Sequence, residues 1–189
     1  LGLVKYAIAA FLMGITSLAQ AAPTVLILNQ AAIPHAIIDP AVAFVAQQIP
    51  VKIDFLYKRT PHTCKIKAWP KTYSTFACYW REKVTKYFDH EGPIIFMQPT
   101  FSYTGARDAI GGFASVCDMN GVGVVFFGNG LRFRDKLHTL LAHELGHLLG
   151  ADHDNTQPAT FMHAAALAYN PLKYSYLSIR EIRQCQRLR

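Results

Sequence analysis

Three histidines and a glutamate stand close together in the stretch His143-Glu144-Leu145-Gly146-His147-Leu148-Leu149-Gly150-Ala151-Asp152-His153-Asp154. His143 and His147 are four residues apart, so on a helix they fall about 40° apart on one face and two imidazoles can share one metal ion. Glu144 is turned by about 100° from His143, which sets its carboxylate beside a metal and not on it, where it can hold a water and take its proton. Gly150 can adopt the left-handed conformation that ends a helix without a Cβ clash, and the reversal brings His153 back as a third ligand. Three neutral imidazoles leave zinc one exchangeable position, which is the coordination of a catalytic site and not of a structural one. From this chain's own His, Glu and Gly frequencies, HExxHxxGxxH arises by chance in about 2 of 100,000 such sequences, against just under about 1 in 100 for HExxH alone. The longer pattern therefore carries the assignment. The remaining histidines, His35, His62, His90, His138 and His163, lack ligand spacing, although His62 and Cys64 could together bind a metal.

A rigid helix must hold the first two ligands, and Asp135 to Leu149 is the clearest helical segment, with Asp135 at its N-cap, Gly150 beyond its end and a packing face of Leu137, Leu140, Leu141, Leu145 and Leu148. Val25 to Leu28 reads as a short buried strand, Pro40 to Gln48 as a helix capped by Asp39, and Val51 to Tyr57 as an alternating strand. Pro93 to Met97, Gly111 to Cys117 and Val122 to Phe127 supply further strands, the last two separated by the turn at 118–121. Ser178 to Cys185 reads as a C-terminal helix capped by Ser178. Strands alternating with helices, without repeat or linker, predict one α/β domain.

The chain has 189 residues, 51% hydrophobic and 16% charged, which excludes a mostly disordered or coiled-coil protein. Its apolar excess is uneven, since Tyr6 to Pro34 holds no charged residue. Lys5, an apolar run to Leu18 and the small residues Ala19 to Ala22 predict a secretory signal peptide over residues 1–21. The competing readings are an uncleaved anchor or a buried helix; Pro23 and the strand-like Val25 to Leu28 argue against one continuous helix. Cleavage would leave residues 22–189 as a single secreted domain with no stable membrane insertion, and 19 bases less Lys5 against 12 acids give it a net charge of +6. Cys64, Cys78, Cys117 and Cys185 all fall in that part and read as two disulfides, with three pairings open. No N-x-S/T sequon occurs, and no inhibitory segment is expected between the leader and the first strand.

Residues 58–86 are basic and aromatic, with Lys65, Lys67, Trp69, Lys71, Tyr73, Trp80 and Arg81. Such a segment could serve as a polyanion exosite, but no nucleic-acid module accompanies it, and a solvated surface region is the favoured reading.

With His153 followed by Asp154, the motif HELGHLLGADHD resembles that of the metzincin zinc metalloendopeptidases, and within them most closely the adamalysin (reprolysin) family. Ile110 to Cys117 looks like that family's edge strand and following Cys, and Gly121 to Val125 like the next strand. The resemblance implies a mostly parallel twisted sheet with an antiparallel edge strand, an active-site helix and a C-terminal helix. It also implies one catalytic Zn2+ on His143, His147 and His153, Glu144 as general base, and the disulfides Cys117–Cys185 and Cys64–Cys78. Met162, nine residues after His153, matches the Met-turn beneath the ligands, and Asp154 would tie the zinc loop to that turn. Gly112, Phe113, Ala114, Ser115 and Val116 would form the edge to which an extended substrate adds, while Ala164 and Ala165 would wall an apolar pocket. The interval to Met162 is shorter than in adamalysins and nearer that of matrix metalloproteinases, yet Asp154 replaces the Ser that usually follows the third His in the latter. The function implied is a secreted, monomeric zinc endopeptidase acting on extracellular proteins, including matrix, without nucleic-acid partners. The alternative is an inactive metalloprotease-like protein that binds matrix or a receptor through its basic face. The intact Glu144 speaks against it.

Overall fold

The computed structural model describes residues 24–29, 31–49, 54–58, 90, 92–99, 112–118, 121–127, 136–164, 166 and 173–187. The expected leader at 1–21, the basic segment beyond Lys58, the Cys64–Cys78 pair, Asp135 and Ala165 lie outside the described residues.

Among the described residues five strands form one sheet: β1 (Thr24–Asn29), β2 (Asp54–Lys58), β3 (Ile94–Pro99), β4 (Gly112–Ala114) and β5 (Val122–Phe127), in the order β2-β1-β3-β5-β4. The first four in that order run parallel, and β4 pairs antiparallel with β5. The central strands are continuous apolar runs because both faces are covered: Val25, Ile27, Ile95 and Met97 on one side and Leu26, Leu28, Ile94 and Phe96 on the other are all at most 1% exposed. This is the α/β architecture expected, with its antiparallel edge strand.

Two helices join the first of these faces to make the core. Helix α1 (His35–Gln48) contributes Ile38, Ala41, Val42 and Val45, and α2 (Leu137–Leu149) contributes the five leucines anticipated above. Phe44 of α1 meets Phe161 edge-on at 5.9 Å and His138 at 4.9 Å, so α1 buttresses both α2 and the loop beyond the ligands. The third helix, α3 (Tyr176–Arg187), turns Ser178, Ile182 and Cys185 inward. Among the described residues no helix is long and apolar enough to cross a membrane.

Most element ends shift by a residue or two from the sequence expectation, and the shifts in α1, β4 and α3 have identifiable causes. Helix α1 starts at His35, after Pro34, and Asp39 is not its cap; Pro40 sits inside it. Ile38 explains the difference, because it completes the stripe with Ala41, Val42 and Val45 and is fully buried, which offsets the backbone hydrogen bond that Pro40 cannot donate. The β1–α1 turn is set by Asn29, whose amide donates to the Ile33 carbonyl at 2.7 Å and accepts from its N–H at 3.0 Å. Strand β4 ends at Ala114 and not at Cys117, since Ser115 donates to Asp118 at 3.2 Å and Cys117 takes a positive φ of 54°. Helix α3 starts at Tyr176, two residues before Ser178, and its cap is Ser175, whose hydroxyl accepts the Ser178 N–H at 3.1 Å.

Candidate metal centre

Helix α2 presents His143 and His147 one turn apart, and its end supplies the third imidazole. Gly150 adopts φ 119°; its N–H bonds the His147 carbonyl and the Ala151 N–H bonds the Gly146 carbonyl, both at 2.9 Å, the two bonds of a Schellman motif. A side chain at Gly150 would be strained by that φ and would also collide with Cys185. The reversal returns His153 to the helix face.

The three rings converge through Nε2. His153 Nε2 lies 3.2 Å from that of His147 and 3.3 Å from that of His143. A zinc–nitrogen bond of about 2.0–2.1 Å at tetrahedral angles separates two ligand nitrogens by about 3.3–3.4 Å, so the spacing fits a single zinc ion. The backbone fixes the tautomers. His143 Nδ1 is 2.6 Å from the Phe161 carbonyl and His147 Nδ1 is 2.8 Å from that of Ala151, so each Nδ1 carries the proton and each Nε2 lone pair faces inward. Lone pairs aimed at one another repel without a cation between them. His147 is buried, His143 half-buried and His153 exposed, which leaves the group open on one side.

Burial and the neighbouring imidazoles push the His143 pKa down to about 4, and burial lowers that of His147. Both rings are therefore neutral ligands near pH 7. Because an unfolded histidine binds its proton below about pH 6.5, His143 withdraws up to about 3 kcal/mol of stability from the metal-free protein as pH falls from about 6.5 to about 4. Glu144, whose pKa burial raises, acts in the opposite sense by holding a proton in the fold that the unfolded chain releases above about pH 4.5. A titration of the zinc-free protein followed by imidazole NMR should place the His143 midpoint near 4; a midpoint near 6.5 would contradict this environment.

Glu144 is 2% exposed, and its Oε2 has no hydrogen-bond partner among the described residues. Glu144 follows the first of these histidines on α2, and a buried carboxylate oxygen without a protein partner is chemically able to hold a water. Met162 is fully buried beneath the helix, where a Cβ on Gly146 would strike its Sδ and approach Tyr174 Cε1 at 3.0 Å. Asp154 is also buried: its N–H donates to the Met162 carbonyl at 2.9 Å and its carboxylate accepts from the Thr156 N–H and hydroxyl. These bonds, chiefly from the Thr156 hydroxyl, hold its carboxyl below the usual range. The zinc loop is thus tied to the segment carrying Met162.

Sequence reasoning missed Gly146, Phe161 and Tyr174. Tyr174 donates its hydroxyl to the Ala142 carbonyl at 2.6 Å inside the core and packs edge-on against Phe161 at 5.1 Å. The HExxH motif leaves Gly146 unspecified, and no local spacing links residue 142 to residue 174.

Of the anticipated substrate positions, Gly112, Phe113 and Ala114 form the edge strand, paired on one side with Val125, Val124 and Gly123. Ser115 and Val116 lie in the turn beyond it, with Val116 exposed. Ala164 is exposed, and its N–H donates to the Asn155 side chain at 3.0 Å. Cys117 is bonded to Cys185, the pairing that the resemblance implied, and the Cys117 N–H donates to the His147 carbonyl at 2.9 Å.

No known family's sequence profile matches the chain, and no curated protein matches it. Solved structures do. Archaemetzincin from Methanopyrus kandleri superposes with a TM-score of 0.60 at 12% identity, covering 89% of this chain and 98% of that one. A zinc-dependent peptidase from Methanocorpusculum labreanum gives 0.56 at 14% identity, covering 84% and 99%. Metalloproteinase-II from Bacteroides fragilis gives 0.60 at 14% identity, and there 86% of this chain spans only 52% of the other. The likeness does not single out the adamalysin family; what it shows is that this chain, with a histidine triad that fits one zinc ion, has the fold of zinc-dependent peptidases.

Proposed function

We propose that the protein is a zinc-dependent endopeptidase that hydrolyses peptide bonds in extracellular proteins after export. The observation that carries the reading is the convergence of three imidazoles, two of them oriented by backbone carbonyls, at the helix that carries the buried Glu144, whose Oε2 has no partner among the described residues. When bound, zinc supplies Lewis-acid polarisation of the scissile carbonyl and lowers the pKa of water toward about 7. His143, His147 and His153 would hold the ion, whose positive charge would favour the ionised form of Glu144 against the burial that opposes it. Glu144 then accepts the attacking water's proton at Oε2 and delivers it to the leaving amine. Strand β4 is the edge of the sheet among the described residues, and an extended substrate would add to it as a further strand. The loop through Ala164 would border the residue that sets specificity.

Export is supported by the leader-like residues 1–21 and by the Cys117–Cys185 bond, since disulfides persist in oxidising compartments. The closer kinship with adamalysins rests on Asp154 after the third His and on the paired Cys117 and Cys185. Incubation of the zinc-loaded protein with a peptide library tests the reading. Cleavage within the peptides, lost on chelation and restored by zinc, is expected; intact peptides with zinc bound would favour the binding-protein alternative.

A further inference from the structure

The turn that returns the third ligand is held by hydrogen bonds at each backbone N–H from Gly150 to Asp154, and four of the five are made within the stretch between Gly146 and Met162. Gly150 donates to His147, Ala151 to Gly146, His153 to the Asp152 carboxylate at 2.7 Å, and Asp154 to Met162. The exception is Asp152, whose N–H donates to Glu181 Oε2 at 3.1 Å across 29 residues of chain. Glu181 lies on α3, one turn before Cys185, and the two share the face turned toward this loop: a Cβ on Gly150 would meet Cys185 Sγ at 3.1 Å and the Glu181 carbonyl at 3.2 Å. The disulfide fixes that face against Cys117, whose own N–H is bonded to the carbonyl of His147. Helix α3 therefore grips the turn between the second and third imidazoles at a backbone atom adjacent to His153.

We propose that Glu181 is a positioning residue for the metal centre, its carboxylate setting the Asp152 peptide and through it the approach of His153 Nε2 to the other two nitrogens. The inference rests on the zinc reading of the triad. His153 needs such help most, because it is the exposed ligand and the one outside the helix. Loss of a charge-assisted acceptor would let the turn sample conformations in which the third nitrogen no longer converges, and each tenfold loss of population costs about tenfold in affinity.

Zinc affinity, measured by competition with a chromophoric chelator and without substrate, tests this directly. Glu181→Ala should bind zinc about tenfold more weakly than the wild type, whereas Glu181→Gln, whose amide oxygen can accept the same N–H, should stay within about twofold. The urea midpoints of the two zinc-free variants should agree. In Glu181→Ala the Asp152 amide should also lose its protection from hydrogen exchange, and that measurement holds whatever the metal does. Wild-type affinity in Glu181→Ala, or equal weakening in both variants, would overturn the proposal. A wild-type protein that binds zinc tightly but cleaves no peptide would defeat the peptidase reading and leave this one standing.

Discussion

Replacing Glu144 with Gln should lower peptide hydrolysis by about a thousandfold or more while one zinc remains bound. The two effects separate because, among the described residues, the convergent nitrogens come from His143, His147 and His153, and Glu144 is not one of the group. The substitution keeps the size and one oxygen acceptor but removes the base that takes the water's proton. It also removes an ionisable group whose burial disfavours its charged form, so the variant should be no less stable than the wild type in the absence of metal. Metal content by mass spectrometry and initial rates on one cleaved peptide check both halves. Loss of zinc together with activity would make Glu144 a ligand or a structural residue and would contradict the arrangement described.

The largest effect on stability should come from opening the Cys117–Cys185 disulfide. It closes a chain segment of sequence separation 68, for which the chain-entropy account gives about 4 kcal/mol, a large share of the roughly 5–15 kcal/mol that folded domains possess. Its place in the fold adds to this, because Cys185 packs on Gly150 and the Cys117 N–H holds the end of α2 through His147. The double variant Cys117→Ala with Cys185→Ala should therefore lose about 2–5 kcal/mol in urea unfolding and bind zinc more weakly. Unchanged unfolding free energy would show that α3 is held by packing of Ile182 and the Ser175 cap without the covalent bond.

The metal ligands were legible because their arrangement is local: residues 143, 147 and 153 are linked by one helix and one turn, and the helical period and the glycine stop fix both. The parallel strands were legible because burial on both faces leaves an unbroken apolar run. Element ends were harder. Pro40 looks like the first residue of a helix, yet Ile38 one turn of the stripe earlier is buried, and tertiary burial extended α1 past the local signal. Ser178 reads as the cap of α3 in sequence, but the core buries it inside the first turn and Ser175 takes that place. Gly111 to Cys117 carries strand-like residues, but the demands of the disulfide and of the His147 carbonyl turn the chain after Ala114. Contacts such as Tyr174 with Ala142 or Glu181 with Asp152 join residues about 30 apart and leave no periodicity to read.

The most direct test is a titration of metal-stripped protein with zinc while peptide cleavage is recorded. Activity should rise linearly and reach its plateau at one equivalent per chain, the stoichiometry of a single three-histidine centre. Saturation of the centre at one equivalent with no cleavage at any point of the titration would contradict the account.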